Sequence, residues 1–329
     1  MSSEDRLILV TGGAGFLGAA LVRALVDRGD RVRVLDNSFR GSRRKLGTYL
    51  PRVEFVEGDV RDPRVVAQAM GGVHTVCHLA FINGTRYFYE MPRDVLDVGV
   101  RGTLNVLEAA VESGVKDFLF ASSSEVYQTP PVYPTPETVA LSIPDALNPR
   151  YSYAGGKLIG ELLTFNFGKD RFRRTIVFRP HNVYGPDMGF EHVIPEFIVR
   201  MRRLAPSAPS DAVPFPIQGS GEERRAFCEV RDFTDGLLRV IDSGEDRAIY
   251  HIGNDEETSV RDLALLIARK MGIRIRLEPG PLRAGGTPRR CPDITKLRGL
   301  GYRPRLALET GLDASIEWYS QHELGPRPA

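Results

Sequence analysis

Leu7-Ile8-Leu9-Val10-Thr11-Gly12-Gly13-Ala14-Gly15-Phe16-Leu17-Gly18 is the stretch that decides the fold. Leu7 to Val10 is an apolar run of strand length that stops at glycines, and from Phe16 to Arg28 apolar residues recur at helical spacing until Gly29. Strand, glycine turn and helix in that order put free N–H groups and the positive end of a helix dipole just beyond the strand. The glycines satisfy both GxxGxxG (Gly12, Gly15, Gly18) and GxGxxG (Gly13, Gly15, Gly18), which permits the tight turn and lets a pyrophosphate approach the backbone. A second strand, Arg31 to Leu35, ends at Asp36, whose carboxylate suits the hydroxyls of an adenosine ribose and repels a 2′-phosphate. The expected cofactor is therefore NAD rather than NADP, a preference softened by Arg40 and Arg43. Asp59, in Gly58-Asp59-Val60 after a third strand, reads either as a partner for the adenine amino group or as a plain turn aspartate.

Working outward, Val53 to Val56, Thr75 to Leu79, Phe118 to Ala121 and Thr175 to Phe178 read as further strands. Helical stretches lie at Val65 to Met70, Val95 to Ser113 and from Arg150 to about Gly168. This alternation predicts an α/β fold, a Rossmann doubly wound parallel sheet with helices on both faces. The second half is less regular. Ala205 to Pro216 reads as a surface loop, Ala248 to Ile252 as a strand, Val260 to Met271 as an amphipathic helix stopped by Gly272, and Pro279 to Pro292 as a Pro/Gly/Arg-rich connection. A smaller C-terminal α/β substrate domain at the carboxyl edge of the sheet, where open parallel sheets bind ligands, completes the simplest architecture.

Tyr153 and Lys157 lie four residues apart on a predicted helix, hence on one face. Tyrosine is a poor base near neutral pH, and lowering its pKa from about 10 to about 7 takes roughly 4 kcal/mol. A neighbouring ammonium and a positively charged nicotinamide favour the phenolate, which would take a proton from a substrate hydroxyl while hydride leaves the same carbon. The strand Phe118 to Ala121 runs into Ser122-Ser123-Ser124-Glu125-Val126-Tyr127, whose hydroxyls can bond a substrate alcohol or ketone or simply cap the strand.

The remaining composition excludes several classes. Forty-four basic against 42 acidic residues give a net charge of +2, so no field for nucleic acid or membrane surface is implied. The local cluster Arg40, Arg43, Arg44 and Lys45 reads as a solvated loop or as a phosphate contact. Cys77, Cys228 and Cys291 have no CxxC spacing, and the six histidines have no metal spacing. His78 reads as a strand-end core residue, whereas His181 and His192 are candidates to touch substrate. With no apolar signal core near Met1 and no run of membrane-span length, a cytoplasmic protein is expected.

Taken together, TGGAGFLG, GDVRD, His78 to Ala80, GTLNVLEAA from Gly102, SSSEVY, YxxxK, RPHNVYGPD from Arg179, RAFCEVRD from Arg225 and the tail LGYRPRLALETGL resemble the extended short-chain dehydrogenase/reductase family, in its NAD-dependent nucleotide-sugar epimerase/dehydratase branch. The resemblance implies that Gly12, Gly15, Phe16 and Leu17 hold the pyrophosphate. It places Asp36 and Asn37, with Ser38 beside them, at the adenosine ribose, and Asp59 and Val60 at the adenine. Leu79, Ala80 and Phe81 would line the cofactor cleft, and Pro180 would pack near the nicotinamide. Tyr153 would be the base, Lys157 would bind the nicotinamide ribose, and Ser123 matches the catalytic Ser/Thr. Asn182 and Arg225 would contact the diphosphate of a nucleoside diphosphate sugar, and Arg290 would grip ribose or phosphate.

Four departures stand out. Glycine replaces the family's usual asparagine at Gly99, and Gln128 replaces the usual glycine. Gly155 and Gly156 weaken the Tyr-Lys helix unless something packs closely there. Ser124 stands where hexose 4,6-dehydratases carry an aspartate that acts as acid on the leaving 6-hydroxyl, although Glu125, matching their base at C5, remains as a catalytic candidate. The expected reaction is therefore epimerisation, at C4 through a transient 4-keto sugar. A decarboxylase resembling the UDP-glucuronate enzymes is the first alternative, supported by Ser123-Ser124-Glu125 and by Arg290-Cys291-Pro292-Asp293-Ile294. A dehydratase, an NADH-dependent reductase and a non-catalytic NAD-binding protein follow. Residues 1–180 and about 228–256 are expected to form the NAD domain, and about 181–227 with 257–329 the nucleotide-sugar domain. The family's pairing of the two long helices implies a homodimer.

Overall fold

A computed structural model describes residues 6–204, 212–281 and 286–322. The first half runs β1 (Leu7–Thr11), α1 (Phe16–Asp27), β2 (Arg31–Asp36), β3 (Glu54–Glu57), α2 (Pro63–Met70), β4 (Thr75–His78), α3 (Thr85–Glu90), α4 (Pro92–Leu96), α5 (Gly102–Glu112), β5 (Asp117–Ala121), α6 (Tyr151–Phe167) and β6 (Arg174–Pro180). The second half adds β7 (Val183–Tyr184), α7 (Val193–Leu204), β8 (Val213–Ile217), β9 (Arg224–Ala226), β10 (Cys228–Glu229), α8 (Val230–Ser243), β11 (Ala248–Ile252), β12 (Glu257–Ser259), α9 (Val260–Lys270), β13 (Ile275–Pro279), β14 (Arg289–Arg290), α10 (Thr295–Gly299) and α11 (Leu308–Gln321).

Seven strands form one sheet in the order β11-β6-β5-β4-β1-β2-β3, with every pairing parallel. The chain leaves β1 toward β2 and β3, then returns to lay β4 on the other side of β1. That reversal opens a crevice at the carboxyl ends of β1 and β4. Because side chains alternate across a strand, β1 feeds two apolar layers. Ile8 and Val10 join Leu21, Leu25, Phe178 and Phe233 on one face, while Leu7 and Leu9 join Val76, Val106, Phe118 and Phe120 on the other. A third cluster gathers Ile198, Phe215, Leu263, Ile267 and Leu312 from the second half. Local chemistry sets the helix ends. Gly29 (φ +92°) lets the chain leave α1, Asp62 accepts the Arg64 amide with Pro63 opening α2, and Ser259 accepts the Asp262 amide at the start of α9.

Three expectations need correcting. The loop expected over Ala205 to Pro216 extends partly outside the described residues, but Val213–Ile217 is a strand, paired in parallel with Ile275–Pro279. Its prolines hide it from a propensity reading. Val213 donates its amide to the Arg274 carbonyl at 2.9 Å, while Pro214 and Pro216 alternate outward on the edge, where no ladder donor is needed. The connection expected from Pro279 to Pro292 also lies partly outside the described residues, and it contains the short strand β14 beside β9. The continuous helix expected from Val95 to Ser113 is interrupted, since α4 and α5 are joined by a π-helical turn over Asp97–Arg101.

Candidate active site

The carboxyl ends of β1, β4, β5 and β6 border a cleft of about 570 Å³. Gly12, Gly15, Phe16, Leu17 and Gly18 line one end of it. There the backbone itself is the wall. A Cβ on Gly12 would lie 2.8 Å from the Ala80 nitrogen, and one on Gly18 only 2.1 Å from the Gly12 carbonyl oxygen. Gly15 caps α1 without a side-chain hydrogen bond, so the amides of the first turn have no side-chain acceptor. The Asp36 carboxylate is fixed beside them, accepting the Ala14 amide at 2.9 Å and the Ser38 amide at 2.8 Å. Burial pushes its pKa up and these two bonds draw it back. Ser38, at φ +58°, does not line the cleft but orients this acid through its backbone.

Asn37, Asp59 and Val60 continue the lining. The Asp59 side chain is tied to Arg61 (2.8 Å) and to the Asn37 amide (2.9 Å), and the Arg61 hydrogen bond foremost holds its pKa below the usual range. Leu79, Ala80, Phe81 and Pro180 complete the wall. Uncapped helix amides, glycine walls that admit no side chain and a fixed ribose-height carboxylate match the donor set a dinucleotide such as NAD requires. The basic cluster divides. Arg40, paired with Glu191 at 3.2 Å over the Tyr87 ring, and Lys45, paired with Asp187 at 2.7 Å, line the cleft, while Arg43 lies outside it and pairs with Glu57 at 2.7 Å.

At the other end α6 brings Tyr153 and Lys157 together as the spacing predicts. The Tyr153 ring stacks on Phe88 (centroids 4.8 Å, 18°), and Ser123 lines the same end of the cleft. Burial raises the Tyr153 pKa, and the nearby Ser123 hydroxyl works against that rise. Lys157 is 2% exposed and donates to the Ala121 carbonyl at 2.6 Å, with burial drawing its pKa down to about 7. Behind it Glu161 is already engaged by Arg179 at 2.6 Å and by Ser122. Glu125 sits at the same end, 2.5 Å from Arg290 and 3.9 Å from Arg150. Burial pushes its pKa up, but the charges of Arg290, Arg150 and Arg225 outweigh this and hold it low.

Arg225 does not line the cleft. It donates to the Arg224, Thr287 and Pro288 carbonyls, and burial, then Arg290, lower its pKa to about 10. Asn182 lines the cleft at φ +41° and donates to the Ala226 carbonyl at 3.2 Å. Of the histidines, His78 is a core residue between Thr11 (2.6 Å) and Thr103 (3.0 Å). His192 lines the cleft, whereas His181 lies buried behind it. Gln128 takes a glycine-like conformation (φ +53°), and its side chain donates to the Glu125 carbonyl at 2.6 Å. That bond holds the unusual turn without a glycine. Phe88 and Arg150 were not singled out from sequence. Arg150 carried a signal, a cation immediately before the Tyr-Lys helix, but Phe88 carried none. Among the described residues no group of three or more His, Cys, Asp or Glu could hold a metal ion, and no helix is long and apolar enough to cross a membrane.

Residues 8–253 match the model of the NAD dependent epimerase/dehydratase family. UDP-glucuronic acid decarboxylase 4 of Arabidopsis thaliana is 31% identical over 323 residues, 97% of this chain and 69% of that protein. Among solved structures, the UDP-glucose 4-epimerase of Thermotoga maritima with UDP-glucose superposes with a TM-score of 0.83 at 29% identity, covering 95% of this chain and 98% of the other. MoeE5 in complex with UDP-glucuronic acid and NAD superposes with a TM-score of 0.78 at 28% identity over 94% and 98% of the two chains.

Proposed function

The chain belongs to the NAD-dependent epimerase/dehydratase family, and we propose that within it the protein is a nucleotide-sugar 4-epimerase, oxidising C4 of a nucleoside diphosphate sugar and reducing the same carbon again from the other face. Bound NAD supplies the reversible hydride acceptor. The Tyr153 oxygen takes the proton of the C4 hydroxyl, and Ser123, which lines the same end of the cleft, holds the sugar oxygen as it becomes a carbonyl. The Lys157 ammonium, one helical turn along α6, favours the phenolate. Asn182 and Arg290, which line the cleft, are the groups proposed to meet the diphosphate, since arginine offers charged, bidentate hydrogen bonds, with Arg225 behind Arg290 adding charge rather than a contact. The observation that carries this reading is the set of buried Tyr153 and Lys157 with half-buried Ser123 at one end of a cleft whose other end is the glycine loop.

Glu125 and Ser124 support epimerisation over 4,6-dehydration. Elimination of a 6-hydroxyl needs an acid for the leaving group and a base at C5. A carboxylate paired with Arg290 at 2.5 Å is a poor proton donor, and a serine is a poorer one. The same geometry supports a second reading, decarboxylation. Arg290, Arg225 and Arg150 surround a single carboxylate, Glu125, so a substrate carboxylate would find cations beside Tyr153. Oxidising C4 of a hexuronate makes its C6 carboxylate β to a ketone, which loses carbon dioxide without a base at C5. The UDP-glucuronic acid decarboxylase relatives add weight to this reading.

We assign the two sheet-face cores to the NAD domain and the third apolar cluster to a nucleotide-sugar domain. We also propose a homodimer through α4 and α6, where Leu96, Ile159, Leu162 and Phe167 are exposed. The test is proton NMR of the purified protein with UDP-glucose and with UDP-glucuronic acid, without added cofactor. A C4 epimer at constant total sugar supports epimerisation, and a pentose with carbon dioxide moves the reading to decarboxylation. Dependence on added NADH would overturn both. Tyr153→Phe is expected to keep NAD binding and to lose at least about 100-fold in turnover, the scale of general base catalysis. Activity within tenfold of the parent would remove Tyr153 from the role of base.

A further inference from the structure

Phe81 touches both members of the Tyr-Lys pair. The Lys157 Nζ lies 3.9 Å from the Phe81 ring centroid, and the Tyr153 ring meets the same ring edge-on at 5.1 Å and 81°. The place it occupies exists only because two side chains are missing. A Cβ on Gly99 would fall 2.2 Å from the Phe81 Cζ, and one on Gly156 would fall 2.9 Å from it. Two departures noted in the sequence, glycine for asparagine at 99 and the weak glycine step in the Tyr-Lys helix, thus answer to one ring.

We propose that Phe81 is a positioning residue for the Tyr153–Lys157 pair: its π-face holds the Lys157 ammonium, its flank sets the Tyr153 ring, and Gly99 and Gly156 admit it. A buried ammonium needs compensation. The nearest acid, Glu161, is committed to Arg179 and Ser122, and the Ala121 carbonyl takes one Lys157 proton. The electron-rich faces of Phe81 and, at 5.0 Å, Phe120 supply the rest. A carboxylate here would draw the lysine aside and compete for its proton, whereas an aromatic face attracts the charge and accepts no proton. The arrangement therefore keeps the cation available at the depth where Tyr153 works. The catalytic consequence rests on Tyr153 and Lys157 being the acid–base pair, but the positioning itself does not.

The test separates the two. Lys157 titration is followed by NMR on protein labelled with ¹⁵N-lysine, assigned by Lys157→Met, in parent protein and in protein carrying 2,6-difluorophenylalanine at position 81. Fluorine at those carbons weakens the π-face and leaves Cζ, Cε1 and Cε2, the ring atoms nearest Gly99, unchanged. The groups facing Lys157 stay the same: Tyr153 and Glu161 on its own helix, His78 at the end of β4, Ser122 after β5, and Arg179 of β6 behind Glu161. The Lys157 midpoint is expected to fall by about 0.3 pH unit or more, part of what a desolvated cation–π contact contributes. An unchanged or raised midpoint overturns the proposal. A double-mutant cycle reads the geometry. Gly99→Ala alone is expected to lower turnover at least tenfold by displacing Phe81, and less than about threefold in a Phe81→Leu background, because coupling vanishes with the contact. Equal losses in both backgrounds overturn the role of Gly99. If the midpoint shifts as expected while Tyr153→Phe keeps its activity, the positioning stands and the base assignment falls.

Discussion

Three histidines are buried without charge, and folding stability should fall steeply once the pH drops below about 6.5. His78 lies between Thr11 and Thr103, and His251 between the Tyr127 hydroxyl (2.6 Å) and the Asp293 carbonyl (3.0 Å). Burial lowers both pKa values to about 3. His181 packs edge-on against His251 at 4.6 Å, has no hydrogen-bond partner on either ring nitrogen, and is driven well below its usual pKa by burial. Each folded pKa lies below the unfolded value, so in this range the unfolded chain binds more protons and stability rises with pH. For His78 and His251 the difference at pH 5 is about 2 kcal/mol each relative to neutral pH, about 4 kcal/mol together. His181 acts in the same direction. Asp36, Glu137 and Glu229, whose pKa values burial raises, offset part of this. Lys157, titrating near 7 in the fold, contributes nothing to the change below pH 6. Against a total stability of about 5–15 kcal/mol, the net effect is large. Urea unfolding at pH 7.5, 6.0 and 5.0 reads it directly, and His251→Gln should flatten the dependence by about 2 kcal/mol over that interval. Equal stability at pH 7.5 and 5.0, or an unchanged slope in His251→Gln, would refute the reasoning.

Three further outcomes are expected. Gly18→Ala puts a methyl 2.1 Å from the Gly12 carbonyl and should lower NAD affinity at least tenfold by calorimetry, with the sheet retained by circular dichroism. Asp36→Asn removes the charge that opposes a 2′-phosphate while preserving the acceptor for the Ala14 amide, so the ratio of NAD to NADP affinity should fall severalfold in parallel titrations. Leu162→Lys places a charge on the exposed apolar face of α6 and should convert a dimer to a monomer by light scattering; a dimer that persists would move the interface elsewhere.

The glycine loop, Asp36, Tyr153 and Lys157 were legible in the sequence because their meaning is local. The spacing of four residues alone puts Tyr153 and Lys157 on one helical face, and a strand–glycine–helix order alone builds the anion cradle. Long-range complements were not legible. Glu125 meets Arg290 across 165 positions, and no local pattern says that a base candidate will be paired with a diphosphate candidate. Gly99 read only as a departure from the family's usual asparagine, because its partner, Phe81, lies outside that helical turn, in the loop after β4. The strand Val213–Ile217 was hidden because Pro214 and Pro216 are poor strand formers by propensity, although both suit an edge whose outer side has no partner.

Those two prolines also limit how this molecule can associate. An exposed strand edge normally offers a row of amides to any other extended chain, the route by which native sheets grow into fibres. On the outer side of Val213–Ile217 the residues facing away from Ile275–Pro279 are Pro214 and Pro216, so the donors an incoming strand would need are chemically absent. That edge of the small parallel ribbon is thus terminated in its covalent structure, and it stays closed to strand addition even when its surroundings loosen.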